Sequence, residues 1–221
     1  MKLVLSALTK FLAGILIVGL LIFLPAGTIN YSGGLIFCAV LFIPILILGI
    51  VLLVKSPKLL EKRLDSREKD KSQKGIVALS ALGFLAGFVM AGLDYRFSLS
   101  HIPTPVVMSA VILFLISYVL YAEVMRENEY LARTVKVEEG QHVVDTGLYG
   151  IVRHPMYAVT VVMFLMIPLI LGSLWAFVIF LHYPVLIVCR IRSEEKLLTA
   201  ELKGYEEYKK KVKYRLIPFV W

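Results

Sequence analysis

At 221 residues, 59% hydrophobic and with a mean hydropathy of +0.81, this chain is too apolar for an ordinary soluble domain. The net charge of +8 sits mostly beside the apolar runs, which points to one face of a bilayer and away from a nucleic-acid partner. Cys38 and Cys189 both lie inside apolar runs with no CxxC spacing. They read as small hydrophobes, and no disulfide or metal site is expected.

The first predicted span runs from Phe11 to Ile29, with Pro25 near its outer end. The start of the chain resembles a signal peptide but lacks a small-x-small cleavage site, so it is read as a retained first helix. The second span is Leu35–Val54, after the uncharged turn "NYSGG". The segment from Lys55 to Lys74 follows, with eight Lys or Arg residues. Its stripe of Leu59, Leu60 and Leu64 suggests a helix lying partly on the membrane surface. The third and fourth spans are Gly75–Leu93 and Pro105–Ala122.

From Glu123 to His154 the chain turns polar. Val135, Val137, Val143 and Val144 bracket Glu139-Gly140 and suggest a short extended ribbon. The apolar runs Pro155–Leu171 and Leu174–Cys189 are joined only by Gly172-Ser173, which predicts a tight antiparallel hairpin. Both runs are short, and with Pro168, His182 and Pro184 they are expected to be tilted, broken or shielded. In the charged tail, Leu198, Leu202, Tyr205, Tyr208 and Val212 recur at helical spacing, and Gly204 is a point where that helix can break. Basic residues alternate, with eight in 55–74, four in 123–154, nine from 190 onward, and only Arg96 in the intervening turns. That pattern predicts an all-α bundle of about six membrane segments with both termini and the polar segments cytoplasmic. The chain divides into a four-span region, 1–122, and a catalytic region, 123–221.

Two constellations carry chemistry. In "RHPMY", Pro155 suits the first turn of a helix, and Arg153 and His154 precede a helix start whose N–H groups and dipole favour an anion such as a carboxylate. The bland alternative is an interfacial Arg and His, with Tyr149 and Tyr157 in an aromatic belt. Arg190 and Glu194 share one helix face. They form either an intrahelical ion pair or a carboxylate placed for a cation and oriented by Arg190.

Together, "EEGQHVVDTGLYGIVRHPMY", the apolar hairpin and "RIRSEEKLLTAELKGYEEYKKKVKYRLIPFVW" resemble the isoprenylcysteine carboxyl methyltransferase family, in its bacterial branch. The resemblance covers residues 123–221 and implies a bacterial inner-membrane enzyme that binds S-adenosylmethionine at the cytoplasmic ends of its last helices. It implies that Gln141, His142, Val143, Val144 and Tyr149 line the adenosine side. Arg153, His154, Pro155, Met156 and Tyr157 would approach the methionine portion. Arg190 and Glu194 would close the pocket, with Glu195 as the alternative carboxylate. Leu148 stands where the family often has proline, and Val159 where a glycine often follows the box.

The implied reaction is methyl transfer to a lipid-linked or amphipathic acceptor, a carboxylate as in isoprenylcysteine O-methylation. The alternatives are a phospholipid amine N-methyltransferase and a membrane transporter or scaffold without catalysis. No catalytic base stands out. Arg126 and Asn128, with Glu123 and Glu127, end the fourth span on the polar side and are candidates for positioning the acceptor. The lipid-like acceptor is expected to arrive sideways between the fourth span and the 155–189 hairpin, past Val159.

Overall fold

The computed structural model describes the backbone of residues 2–65, 71–131, 137 and 139–221, and the side chains of these except 71–73. The described residues form helices and contain no strand. In chain order the helices are α1 (Lys2–Ala26), α2 (Ser32–Lys55), α3 (Pro57–Leu64), α4 (Lys71–Phe97), α5 (Thr104–Glu127), α6 (Pro155–Ile170), α7 (Leu174–Phe180), α8 (His182–Glu201) and α9 (Tyr205–Lys211). Five stretches are long and apolar enough to cross a membrane, the last being Leu174–Glu201 across α7 and α8. Helix α6 is apolar but has 16 residues, about 24 Å of helix against a hydrocarbon core of about 30 Å. The protein is thus a polytopic helical membrane protein.

Helix starts follow local chemistry. Pro105 and Pro155 occupy first-turn positions in α5 and α6, where a missing N–H costs nothing. Ser173 caps α7, its Oγ accepting from the Ala176 N–H at 3.0 Å. The expected weakness in the last apolar run is a break at Leu181, between α7 and α8. The expected break in the tail falls at Gly204, whose φ of +87° ends one helix and begins the next.

Helix α6 is the hub, touching α2, α4, α5, α7 and α8; α5 lies along it, while α1 lies along α4. The main core gathers Phe37, Phe88, Phe114, Val159, Ile167 and Phe180. Membrane helices gain little from hydrophobicity against each other, so close backbone approach matters more. Gly92 provides it: a Cβ there would stand 2.5 Å from the Ile22 carbonyl oxygen and 3.0 Å from the Ala26 nitrogen of α1. At the same end of the bundle the carboxylate of Asp94, 1% exposed, accepts hydrogen bonds from Ser100 N (2.7 Å), Ser100 Oγ (2.6 Å) and Ser173 Oγ (2.5 Å). It ties α4 to the two turns beside it, leaving no buried charge without donors.

Three expectations change. Among the described residues there is no strand in the expected ribbon: Val137, Val143 and Val144 are irregular, and Val135 lies outside the described residues. A turn does form at Glu139-Gly140, but Val143 packs on the tail with Leu198 and Leu202 and Val144 on Tyr149, so tertiary burial takes the place of strand pairing. Of the α3 leucines, Leu59 and Leu60 turn inward and are buried, Leu59 with Val124, Met125, Tyr149 and Met156, while Leu64 is half-buried. Finally, α5 continues through Glu127, so the 122/123 division falls inside a helix.

Gly92→Val should overpack the α1–α4 contact against immovable backbone, a cost of about 1–3 kcal/mol. Thermal unfolding in detergent should show a lower midpoint, whereas an unchanged midpoint would contradict the close approach.

Candidate active site

The polar segment before α6 is built around two acids, Glu127 and Glu195, that do not line the cavity. Residues Gly147–Gly150 form a tight 3-10 turn. Glu127 at the end of α5 accepts from the Leu148 N–H at 3.1 Å and presses against Gly147, where a Cβ would lie 1.5 Å from its Oε1. A side chain there would push the Glu127 carboxylate aside, and the φ of +50° favours glycine. The turn delivers Tyr149 to the bundle. Its hydroxyl accepts from Asn128 Nδ2 at 2.9 Å, and its carbonyl accepts from the Tyr208 hydroxyl at 2.7 Å.

Glu195 holds the other half. Its Oε1 accepts from Arg153 Nε at 2.7 Å and lies 3.3 Å from His154 Nε2, and its Oε2 accepts from Arg215 Nε at 2.8 Å. Arg153 also donates through Nη1 to the carbonyls of Val212 (2.7 Å) and Lys213 (2.9 Å). The backbone N–H groups of Arg153 and His154 donate to Tyr214 and Arg215 carbonyls, each at 2.9 Å. Arg153, His154 and Glu195 are all buried. The tail is therefore sewn to the start of α6.

In front of this clamp lies a cavity of about 810 Å³. On its polar wall the Tyr157 hydroxyl donates to Glu194 Oε2 at 2.5 Å and accepts from Arg190 Nε at 2.9 Å. Arg190 and Glu194 are thus joined through Tyr157, and the His154 ring stacks against the same tyrosine at 5.7 Å. Gln141, His142, Val143, Val144, Tyr149, Arg153, His154, Met156, Tyr157, Arg190 and Glu194 all line this cavity. Pro155 and Glu195 do not, the first starting α6 and the second standing behind Arg153 and His154.

Tyr205 and Tyr208 also line the cavity. Their spacing in the sequence places them in an apolar stripe, and their phenol rings do belong to that cluster; nothing in the spacing reveals that the same residues border a cavity. Burial pushes the hydroxyls of Tyr149, Tyr205 and Tyr208 well above the ordinary phenol range, so they are neutral donors at physiological pH. Among the described residues, the buried Tyr205 hydroxyl has no hydrogen-bond partner in the protein.

The cavity continues between α2 and α4, past Leu48, Gly49, Val77 and Ala81, the last two exposed on the outside of the bundle. The route expected for the acceptor lay elsewhere, past Val159. Helices α5 and α6 pack along one another, and Val159 is buried in their core beside Ala110 and Phe114. Arg126 points away, exposed and paired with Glu123 at 2.5 Å, while Asn128 lines the cavity. Among the described residues, no group of three or more His, Cys, Asp or Glu side chains is arranged to hold a metal.

The fold and site thus define a helical membrane protein with a cavity that is lined by polar residues at one end and apolar residues at the other. Comparison with known proteins points the same way. A family model described as phospholipid methyltransferase matches residues 106–205; it belongs to the same membrane methyltransferase superfamily as the isoprenylcysteine carboxyl methyltransferases. The chain is also similar to the Delta(14)-sterol reductase TM7SF2 of Mus musculus, 33% identical over 91 residues, which is 40% of this chain and 22% of that protein. The chain therefore aligns with about a fifth of that relative's length.

Glu195→Ala should leave Arg153 buried without its carboxylate and cost about 3–5 kcal/mol, because a buried charge loses its counterpart. Glu194→Ala, at a half-buried position facing the cavity, should cost far less. Equal losses of thermal stability in the two variants would contradict this division of roles.

Proposed function

We propose that the protein transfers a methyl group from S-adenosylmethionine to the polar head of a lipid-like acceptor inside this cavity. The observation that carries the reading is the continuity of one space, from the polar wall of Tyr157, Arg190 and Glu194 to the apolar slot between α2 and α4. A water-soluble cofactor and a lipid meet only where both surfaces face the same volume. The family match over residues 106–205 supports methyl transfer.

The residues present suit this cofactor. Gln141, His142, Val143, Val144 and Tyr149 form a wall for the adenosine. Met156, Tyr157, Arg190 and Glu194, with His154 at their edge, surround the methionine portion. Glu194 offers a carboxylate to cationic groups, Arg190 an anchor for a carboxylate, and the Tyr205 hydroxyl a buried donor in search of an acceptor. Pro155 and Glu195 act from behind by holding that wall, Glu195 through Arg153, which itself borders the cavity. The bound cofactor supplies an electrophilic methyl on a sulfonium. The protein's part is to position the acceptor atom in line with it and to exclude water. The polar mouth would face the cytoplasm, where the flanking basic residues concentrate.

A carboxylate acceptor, as in isoprenylcysteine O-methylation, is already ionised and needs no base. The phospholipid methyltransferase match favours a second reading, an amine acceptor on a phospholipid. That amine must shed a proton, and Glu194 is the carboxylate on the cavity wall among the described residues. The likeness to a sterol reductase adds support for an apolar ligand.

Purified protein should bind tritiated S-adenosylmethionine in preference to reduced nicotinamide dinucleotides; the reverse preference would replace methyl transfer with reduction. Tyr205→Phe should weaken cofactor binding about fivefold or more with no loss of thermal stability, since it removes a hydroxyl that has no hydrogen-bond partner among the described residues. Unchanged affinity would remove Tyr205 from the site.

Space around Gly49 is open, with nothing within 4 Å of where a Cβ would stand. Gly49→Trp should therefore block turnover of a long-chain acceptor while leaving cofactor affinity within about twofold. Full activity in that variant would contradict the α2–α4 route.

A further inference from the structure

Residues 215–221 fold into a closed loop at the polar end of the bundle. The Trp221 carbonyl accepts from the N–H groups of Arg215 (2.9 Å), Leu216 (2.9 Å) and Ile217 (3.1 Å), and the Ile217 carbonyl accepts from those of Val220 (3.2 Å) and Trp221 (3.1 Å). Pro218 has no N–H to place. One side of the loop is bound to the bundle. Leu216, which is buried, and Trp221 pack with Tyr183, Ile187 and Ile191 of α8 and with Ala158 and Val161 of α6. The Arg215 guanidinium, held by Glu195, stands over the Trp221 ring at 5.2 Å. The other side carries apolar side chains outward: Ile217 is 51%, Phe219 88% and Val220 75% exposed. Phe219 is held there at a φ of +64°, which strains a bulky residue, with its ring 5.3 Å from that of Tyr214.

We propose that this loop seats Ile217, Phe219 and Val220 in the bilayer, at the acyl-chain boundary of the leaflet on the side of the polar mouth. The proposal stands apart from methyl transfer. Length is the first argument. Helix α6 has 16 residues, which leaves it about 6 Å short of the hydrocarbon core, and Arg153 and His154 stand at its short end. The loop lies against that end, where the N–H groups of Arg153 and His154 donate to the Tyr214 and Arg215 carbonyls. It continues the apolar surface where the helix stops. Val162 of α6 and Val185 of α8 are exposed on the same pair of helices. Backbone chemistry is the second argument. An apolar phase accepts irregular backbone only when its polar groups are paired, and the hydrogen bonds within the loop meet that condition. Charge is the third. Lys210 and Lys213, exposed just before the loop, suit the phosphates of lipid headgroups. Area speaks against a second copy or a soluble protein as the occupant, because the exposed residues 217–220 fall far short of the roughly 800 Å² per partner of a stable protein interface. Seated in this way, the loop keeps lipid and headgroup water off the Arg153–Glu195–Arg215 clamp behind it.

The chain has two tryptophans, Trp175 and Trp221, so the loop can carry its own reporter. Full-length protein with Trp175→Phe, Trp221→Phe and Phe219→Trp is reconstituted in dioleoylphosphatidylcholine vesicles. Its indole emission is compared with that in vesicles of 6,7-dibromostearoyl phosphatidylcholine and with that in potassium iodide present on both sides of the membrane. The bromolipid should lower the emission about twofold or more, and iodide by less, as for a side chain buried about 5–10 Å into the headgroup and acyl boundary. Trp175→Phe alone, which keeps the loop native, guards against a loop displaced by the new indole. There Trp221 should also be quenched by bromolipid in preference to iodide. Adding Phe219→Asp and Val220→Asp to that variant should reverse the preference, because two carboxylates draw the loop into water, whereas Phe219→Leu should keep it. Quenching of the indole at position 219 by iodide and not by bromolipid would place the loop in water and overturn the proposal. Quenching by neither would seat it on protein, a second copy included, and overturn it equally. An unchanged bromolipid preference of Trp221 in the double aspartate variant would also overturn it.

Discussion

A buried carboxylate, that of Glu195, holds the polar half of this protein together. It accepts from Arg153 ahead of α6 and Arg215 in the tail, with His154 in reach. These residues come from segments far apart in sequence, and neither the tail nor the "RHP" stretch has a regular helix to fix it at that point. Taking a carboxylate and an arginine out of water is costly, and the cost is offset only when nearly every donor and acceptor is used. Arg153 meets that condition by donating onward to the carbonyls of Val212 and Lys213. The wall that faces the cavity inherits its rigidity from this clamp.

The same division of labour recurs at Glu127. Its carboxylate is spent on the Leu148 N–H and the Gly147 turn, which in turn sets Tyr149 against Asn128 and Tyr208. Two acids, Glu127 at the end of α5 and Glu195 within α8, therefore shape the polar wall from behind. Glu194, one residue from Glu195, turns onto a different face of α8 and into the cavity. Adjacent residues on a helix point about 100° apart, and here that angle separates a structural carboxylate from one available to a ligand. On the apolar side, α2 and α4 share α1 and α6 as neighbours, while α2 also packs on α5 and α4 on α7 and α8. The slot is the space those pairings leave.

Much of this is legible in the sequence. Apolar runs and the spacing of basic residues mark the membrane segments, because a bilayer imposes length and charge rules on every spanning helix. Pro155, Gly172-Ser173 and Gly204 mark helix starts and breaks by local chemistry. The residues around "RHPMY" and "RSEE" announce a polar site, and most of them do border one cavity. What the sequence does not reveal is partnership across distance. Nothing local distinguishes Glu194 from Glu195, since their roles depend on which face meets Arg153 and Arg215. Arg63 reads as one more basic residue on the cytoplasmic side, and its nearness to Tyr121 exists only once α3 docks. The position of Val159 in the chain suggests a gate, whereas the close packing of α5 on α6 buries it.

The central claim is that a polar cofactor and a lipid-like acceptor occupy different ends of one cavity at the same time. The most direct measurement is the affinity of tritiated S-adenosylhomocysteine, the spent cofactor, for the purified protein without and with saturating S-farnesyl-N-acetylcysteine or dioleoylphosphatidylethanolamine. The geometry predicts that the nucleoside stays bound, with its affinity unchanged or increased, when the lipid fills the slot. Mutual displacement by both lipids would contradict it, because the two ligands would then be competing for one place.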